Sequence, residues 1–341
     1  METKRVNLAL QGGGSHGAFT WGVLDRLLED GRLEFDGISG TSAGAMNAVV
    51  LADGWLDALD RGTDPRDGAR AALRDFWDRI GAQPGSFALA PPWAQPTNPL
   101  GLWVNPAFVW LDLVTRAFSP YQLNPLNVNP LRDILDQLVD FPRLRQRSPV
   151  KLFICATQVR TGRARVFRET ELVRDMVLAS ACLPFTFQAV ELDEGAFWDG
   201  GYSGNPSLFP LYYRTSSTDI LLVQINPLHR DEVPKSAGAI IDRVNEISFN
   251  ASLLQEMRAF EFAQRLLREE RLDPQRYRRQ HFHMIGGESL VRYDASTKYD
   301  TRPDFLAELC SLGRKVAGDW LDLNFEYIGH ASSLPIAEVF L

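Results

Sequence analysis

Two serines in the first fifty residues satisfy the pattern G-x-S-x-G: Ser15 in Gly13-Gly14-Ser15-His16-Gly17 and Ser42 in Gly40-Thr41-Ser42-Ala43-Gly44. A serine on a tight turn between a strand and a helix is held in a strained backbone conformation that presents its Oγ, and flanking glycines let the chain pack closely there. Such a serine attacks an acyl carbonyl once a base takes its proton. Both candidates fall between a strand and a helix, so position does not separate them. The first, however, belongs to the run Gly12, Gly13, Gly14. Its free backbone N–H groups at a helix N-terminus suit an anion or a developing oxyanion. Ser42 is therefore read as the nucleophile and Gly12, Gly13 and Gly14 as its oxyanion hole, while residue physics alone leaves the reverse assignment open.

The same glycines also spell G-x-G-x-x-G, a dinucleotide fingerprint, over Gly12 to Gly17. That site wants an acidic residue at the end of the second strand to hold a ribose. Glu34 and Asp36 stand at the start of that strand, and its end is taken by Gly40, Thr41 and Ser42. A base for the serine is harder to find. None of the five histidines, His16, His229, His281, His283 and His330, sits in a motif that marks it as catalytic, and His281 and His283 alternate as a strand would. A Ser-Asp-His triad of the α/β-hydrolase kind would have several strands ahead of its elbow, and here one strand precedes Phe35. No cluster of His, Asp and Cys has metal-ligand spacing, so neither metal nor cofactor is expected.

The elements that must position these residues follow from periodicity. Val6 to Leu10 reads as a buried strand, followed by a glycine turn and a helix carrying Phe19, Val23 and Leu27 at four-residue spacing. Phe35 to Gly40 and Ala43 to Ala52 repeat the strand and helix. Two such units predict an α/β fold with a largely parallel sheet. Further helices are expected over Pro65 to Ile80, from the cap Asn129-Pro130 to about Val139, over Glu171 to Cys182, and from Ala239 onward. Further strands are expected over Val150 to Ala156, at Phe197 to Asp199 and over Ile220 to Ile225. No repeat or low-complexity linker interrupts the chain, so residues 4–341 are read as one domain whose part from 236 on is mainly helical.

Ile80 to Leu111 carries no charge and is rich in Trp, Phe and Pro. It is either a lid or acyl-chain channel that meets a lipid surface, as part of an insertion over 80–126, or a loop-rich covering of the core. The net charge of −7 offers no general attraction to nucleic acid. The basic groups Arg143, Arg145, Arg147 and Lys151, and Arg276, Arg278 and Arg279, are read as solvated and paired faces before headgroup contacts. Cys155, Cys182 and Cys310 lie in apolar segments and suggest buried reduced thiols. The apolar run after Met-Glu-Thr-Lys-Arg is too short for a signal peptide and no stretch is long enough to span a bilayer, so a cytoplasmic location is expected, peripheral at membranes if a lipid is bound.

The Gly12–Gly17 turn, the elbow at Gly40–Gly44 some 28 residues later, and Asp199-Gly200-Gly201 together resemble the three signatures of the patatin-like phospholipase family. The resemblance covers roughly residues 4–226. It implies a three-layer α/β/α sandwich around a central, mostly parallel sheet, and hydrolysis of lipid acyl esters without histidine or cofactor. Carried onto this chain, it implies Ser42 as nucleophile, Asp199 as proton acceptor and the Gly12, Gly13 and Gly14 backbone as oxyanion hole. The family often has Arg or Lys where this chain has His16, so any contact such a cation makes is in question. An esterase or polyester depolymerase using the same residues is the alternative, followed by a non-catalytic nucleotide-binding or scaffold protein.

Overall fold

The computed structural model describes residues 3–83, 118–273 and 276–341. The chain opens with β1 (Lys4–Leu10), α1 (Gly17–Asp30), β2 (Leu33–Thr41), α2 (Ala43–Arg61) and α3 (Pro65–Ala82). Short helices α4 (Pro120–Leu123), α5 (Pro130–Leu138) and α6 (Phe141–Arg147) lead to β3 (Lys151–Gln158), β4 (Ala164–Arg168) and α7 (Arg174–Ser180). After β5 (Val190–Leu192), β6 (Gly195–Asp199) and α8 (Phe209–Arg214) come β7 (Asp219–Gln224), α9 (Ala237–Arg268), β8 (His281–Gly286), α10 (Pro303–Asn324) and α11 (Ile336–Phe340).

The strands form one sheet in the order β5-β6-β3-β2-β1-β7-β8, with β4 also paired to β3. The run β3-β2-β1-β7-β8 is parallel, and β4, β5 and β6 pair antiparallel at one end. The two-residue period of each strand sorts its side chains between two helical layers. Leu8, Leu10, Ile154, Leu221 and Val223 pack with α1, α2, α3 and α10 on one face. Ala9, Phe153, Ile220, Leu222 and Phe282 pack with Leu211 of α8, Leu253 and Met257 of α9, and Ile336 and Phe340 of α11 on the other. The result is the expected three-layer sandwich.

Local chemistry accounts for the helix limits. Asp64 and Asn129 accept hydrogen bonds from Arg66 N (2.8 Å) and Leu131 N (3.1 Å), each ahead of a proline at the first helical position. Gly31 and Gly62 end α1 and α2 in the left-handed conformation. α2 runs nine residues beyond the expected Ala52, because Gly54 lets it cross α3 in close contact at Ala72 and Gly68. The expected helix over Glu171 to Cys182 is shorter, Arg174–Ser180.

The region after 236 contributes more than helices. The alternation of His281 and His283 belongs to β8, which extends the parallel sheet beside β7, and α10 packs across α1. Ser332 Oγ accepts from Phe282 N and Leu334 N donates to Phe282 O, both at 3.0 Å, so this segment covers the outer edge of β8. All three cysteines are free and buried. Of the basic clusters, Arg143 pairs with Asp53 and Arg147 with Asp60, both at 2.8 Å, Lys151 pairs with Asp36 at 3.6 Å, and Arg278 binds the Thr215 carbonyl at 3.0 Å. The aromatic stretch read as a lid or core covering lies, from residue 84 to its end, outside the described residues.

Candidate active site

β1 and β2 are parallel neighbours, so the turns that follow them meet at the same end of the sheet, where open α/β folds bind ligands. Ser42 follows β2 with φ 54° and ψ −121°, a left-handed conformation adopted by only three non-glycine residues among those described. Ser15 has no such strain; it lies in a 3-10 turn over Gly14–His16. This separates two serines that the sequence pattern could not. The Ser42 N–H donates to Ser180 Oγ (2.9 Å), whose hydroxyl donates to the Cys155 carbonyl (2.6 Å), so α7 and β3 clamp the elbow.

The glycine turn packs directly on this serine. A Cβ on Gly12 would stand 2.6 Å from Ser42 Cβ, so only glycine fits. The three glycines are not equivalent as donors. Gly12 N–H is committed to Asn205 Oδ1 at 2.7 Å, and its carbonyl accepts from Asn226 Nδ2 at 2.7 Å. Of the three glycines expected to form the oxyanion hole, Gly12 has its N–H engaged, pinning the turn against the buried amides. Gly13 and Gly14 N–H have no partner among the described residues. Gln11 completes the pinning, accepting from Ile225 N (3.0 Å) and Asn226 N (2.9 Å) and donating to the Asn205 carbonyl (3.2 Å).

Asp199 ends β6, which pairs antiparallel with β3, and is wholly buried. Its Oδ1 accepts from Gly201 N at 2.7 Å. Burial pushes its pKa from 3.8 up to about 7, against smaller downward pulls from the Gly201 N–H and the Ser42 hydroxyl. The Ser42 hydroxyl is thus close enough to act on the carboxylate but falls short of hydrogen-bond geometry, and Asp199 Oδ2 has no hydrogen-bond partner among the described residues. Catalytic hydrogen bonds are often loose before substrate binds. The structure therefore brings together Ser42, Asp199 and the glycine turn.

Among the described residues no histidine bonds Ser42 or Asp199. His283 bonds Asp219 Oδ1 (3.1 Å) and Ser333 Oγ (2.9 Å) at the start of β7, the opposite end of the parallel strands from Ser42. His16 is buried, bonds Thr297 Oγ1 at 2.7 Å and faces Tyr293 and Phe305. Burial, then Lys298 and Arg230, push its pKa down to about 3, so it carries no charge and is a weak base. Asp36, the acid nearest the count for a ribose, accepts from Ser217 N (2.8 Å) at the far end of β2. Among the described residues no group of His, Cys, Asp and Glu is arranged to hold a metal, and no helix is long and apolar enough to cross a membrane.

Gln11, Ser180, Asn205 and Asn226 escaped the sequence reading. Gln11 and Asn226 carried a signal, since each is a polar residue just beyond a strand with a buried apolar run, Leu8–Leu10 or Ile220–Val223. Nothing local marked Ser180 or Asn205.

No curated protein matches the chain. It is similar to VipD from Legionella pneumophila, with 17% identity and a TM-score of 0.41, over 94% of this chain and 67% of that one. It is also similar to a chain in the complex of SpcU with ExoU from the type III secretion system of Pseudomonas aeruginosa, with 15% identity and a TM-score of 0.36, over 96% of this chain and 53% of that one. The chain thus spans about half the length of that second neighbour. The family model described as patatin-like phospholipase matches residues 8–212. That match takes in more than half of the chain, including the glycine turn, Ser42 and Asp199, and the chain belongs to the patatin-like phospholipase family.

Proposed function

We propose that this protein hydrolyses fatty-acyl esters of lipids by two-step acyl transfer through Ser42 and Asp199. Membership of the family supports a lipid acyl hydrolase. The observation that carries the residue assignment is the pairing of a serine in a strained elbow with a buried carboxylate whose Oδ2 has no hydrogen-bond partner among the described residues. An aspartate with an ordinary pKa near 4 is a poor base for an alcohol; one pushed up to about 7 is matched to the task at neutral pH.

Ser42 Oγ attacks the ester carbonyl while Asp199 Oδ2 takes its proton, and the oxyanion is received by the N–H groups of Gly13 and Gly14. Gly12 shapes the turn and donates inward. The leaving alkoxide takes the proton from Asp199 and departs as the alcohol. Water, deprotonated by the same carboxylate, attacks the acyl-enzyme carbonyl, and Asp199 returns that proton to Ser42 Oγ as the acyl bond breaks and the fatty acid leaves. Exposed apolar side chains near the antiparallel end of the sheet, Leu126 (86% exposed), Phe185 (71%) and Val128 (62%), support approach to a lipid surface. They share one region, since Gln188 Nε2 donates to the Asn124 carbonyl at 2.8 Å.

The test is a panel of phospholipid, lysophospholipid, neutral glyceride, polyester and soluble short-chain ester, comparing wild type with Ser42→Ala. Release of fatty acid from the lipids that disappears in Ser42→Ala is the expected result. Activity confined to the polyester would favour a depolymerase, and turnover that survives Ser42→Ala would refute the site.

A further inference from the structure

Lys298 lies outside the family match, yet it reaches the oxyanion turn. Its main-chain carbonyl stands where a Cβ on Gly14 would have to go, which brings the 3-10 turn Ala295–Tyr299 against the glycines. From there the side chain extends to Asn226, donating to Oδ1 at 2.7 Å, and the same amide donates to the Gly12 carbonyl. Lys298 Nζ is also 5.9 Å from the centre of the Phe249 ring, whose edge packs on Gly201 next to Asp199. One amide side chain therefore separates this ammonium from the turn that touches Ser42.

An ammonium has three donors, and only one of these is used among the described residues. The neighbouring acids do not satisfy the others. Glu246 is taken by Arg230 (2.5 Å) and Arg243 (3.0 Å), and no carboxylate oxygen of the described residues lies within 4.0 Å of Lys298 Nζ. Asp242 and Glu246 act on it only at longer range. Dense packing pushes its pKa down to about 8, so the amine is held charged at a cost that an incoming anion would relieve, and the side chain keeps some exposure to receive one. His16, uncharged and turned toward Tyr293 and Phe305, provides no cation at the same turn.

We propose that Lys298 is the anion-recognising residue of this site, binding the phosphodiester of a glycerophospholipid whose ester carbonyl lies at Ser42. The inference rests on the hydrolase reading above and adds to it the residue that would discriminate phospholipid from neutral lipid. The N–H groups of Gly13 and Gly14 then hold the reacting carbonyl while Lys298, steadied by Asn226, holds the headgroup side of the same molecule. This selects phospholipid over neutral glyceride with one charge-assisted contact.

The full chain and its Lys298→Met and Lys298→Arg variants would be assayed on a short-chain phosphatidylcholine and on the diacylglycerol with the same acyl chains. In Lys298→Met the preference for phosphatidylcholine, as a ratio of kcat/KM values, should fall about 10- to 100-fold, chiefly through KM. Lys298→Arg should recover most of it. A ratio unchanged in Lys298→Met overturns the proposal. So does an equal loss on both substrates that arginine fails to rescue, which would make Lys298 a structural tie to Asn226. Inorganic phosphate that inhibits wild type but not Lys298→Met, with the lipid ratio unchanged, would assign the site to free phosphate and also overturn it. Binding of the same phosphatidylcholine to Ser42→Ala, with and without Lys298→Met, reads the contact without turnover. A wild type inactive on every ester whose Ser42→Ala form still needs Lys298 to bind would sink the hydrolase reading and leave this one standing.

Discussion

Replacing Asp199 with Asn should disable the protein and, at alkaline pH, make it more stable. The carboxylate is wholly buried and its pKa rises from 3.8 to about 7. Between those values the native state holds a proton that the unfolded chain has released. Wild-type stability from this group is therefore fully present below 3.8 and is lost as pH rises through 7. The full difference corresponds to about 4 kcal/mol. Asparagine removes that cost but puts an Nδ2 donor where Oδ2 has no partner among the described residues, with only the loosely placed Ser42 Oγ to accept, a penalty of about 1–3 kcal/mol. At pH 8 the variant should gain a net ~1–3 kcal/mol, or roughly 1–4 °C in a chain of this size. Near pH 4 the gain vanishes, the amide penalty remains, and the variant should melt below wild type. Glu256, half-buried and pushed up to about 7 by desolvation, gives both proteins the same slope and cancels in the difference. Melting curves across pH 4–8 read the crossing. In the same proteins kcat/KM should fall by about 10²- to 10⁴-fold in the variant, and the wild-type rate should drop about tenfold for each pH unit below 7. A variant that melts lower than wild type at both ends, or keeps its activity, would refute the argument that a desolvated Asp199 is the base.

A fluorophosphonate probe should label wild type and Ser15→Ala but not Ser42→Ala, as read by mass spectrometry of the labelled peptide; labelling that moves to Ser15 would reverse the two elbows. Ser180→Ala leaves the Ser42 N–H without its 2.9 Å acceptor and should cost about 1–3 kcal/mol in denaturant unfolding together with a fall in kcat. An unchanged kcat would show that the elbow holds without the clamp. Leu126→Asp combined with Phe185→Ser should weaken sedimentation with liposomes while sparing a soluble short-chain ester, and equal loss of both would mark those side chains as part of the site itself. Activity should persist in EDTA, and rescue of an EDTA-inhibited enzyme by calcium would reveal a metal requirement.

The motifs that carry the candidate site residues were legible because they are short runs rich in glycine. Gly40, Gly44 and Gly200 are demanded by close backbone approaches and Gly201 by the Phe249 ring, so each contact leaves a glycine in a short motif even where its partner is distant. The parallel strands were equally plain, since burial on both faces leaves an uninterrupted apolar run such as Ile220–Val223. What stayed hidden depends on residues far apart in the chain. Asn205 consumes the Gly12 donor across 193 positions, and Lys298 meets Asn226 across 72. Neither has a local pattern, because an amide or a lysine in a loop looks the same whether it faces solvent or a buried partner. The choice between Ser15 and Ser42 was of this kind too: both have the right neighbours, and only the backbone angle tells them apart.

The cover over Phe282 matters beyond this molecule. β8 is the last strand on its side of the sheet, and a bare parallel edge of six residues would offer its unpaired N–H and C=O groups to any other chain. Residues 332–334 occupy those groups at Phe282 in cis. At the opposite end β5 is only three residues long, centred on Glu191 and followed by Asp193 and Glu194, a charged stub that pairs poorly with a neighbour. Both devices hinder pairing between copies at these two edges, which matters most where the protein is crowded, as at a lipid surface. Removing residues 332–341 would reopen the β8 edge and turn the same crowding into a route to aggregation.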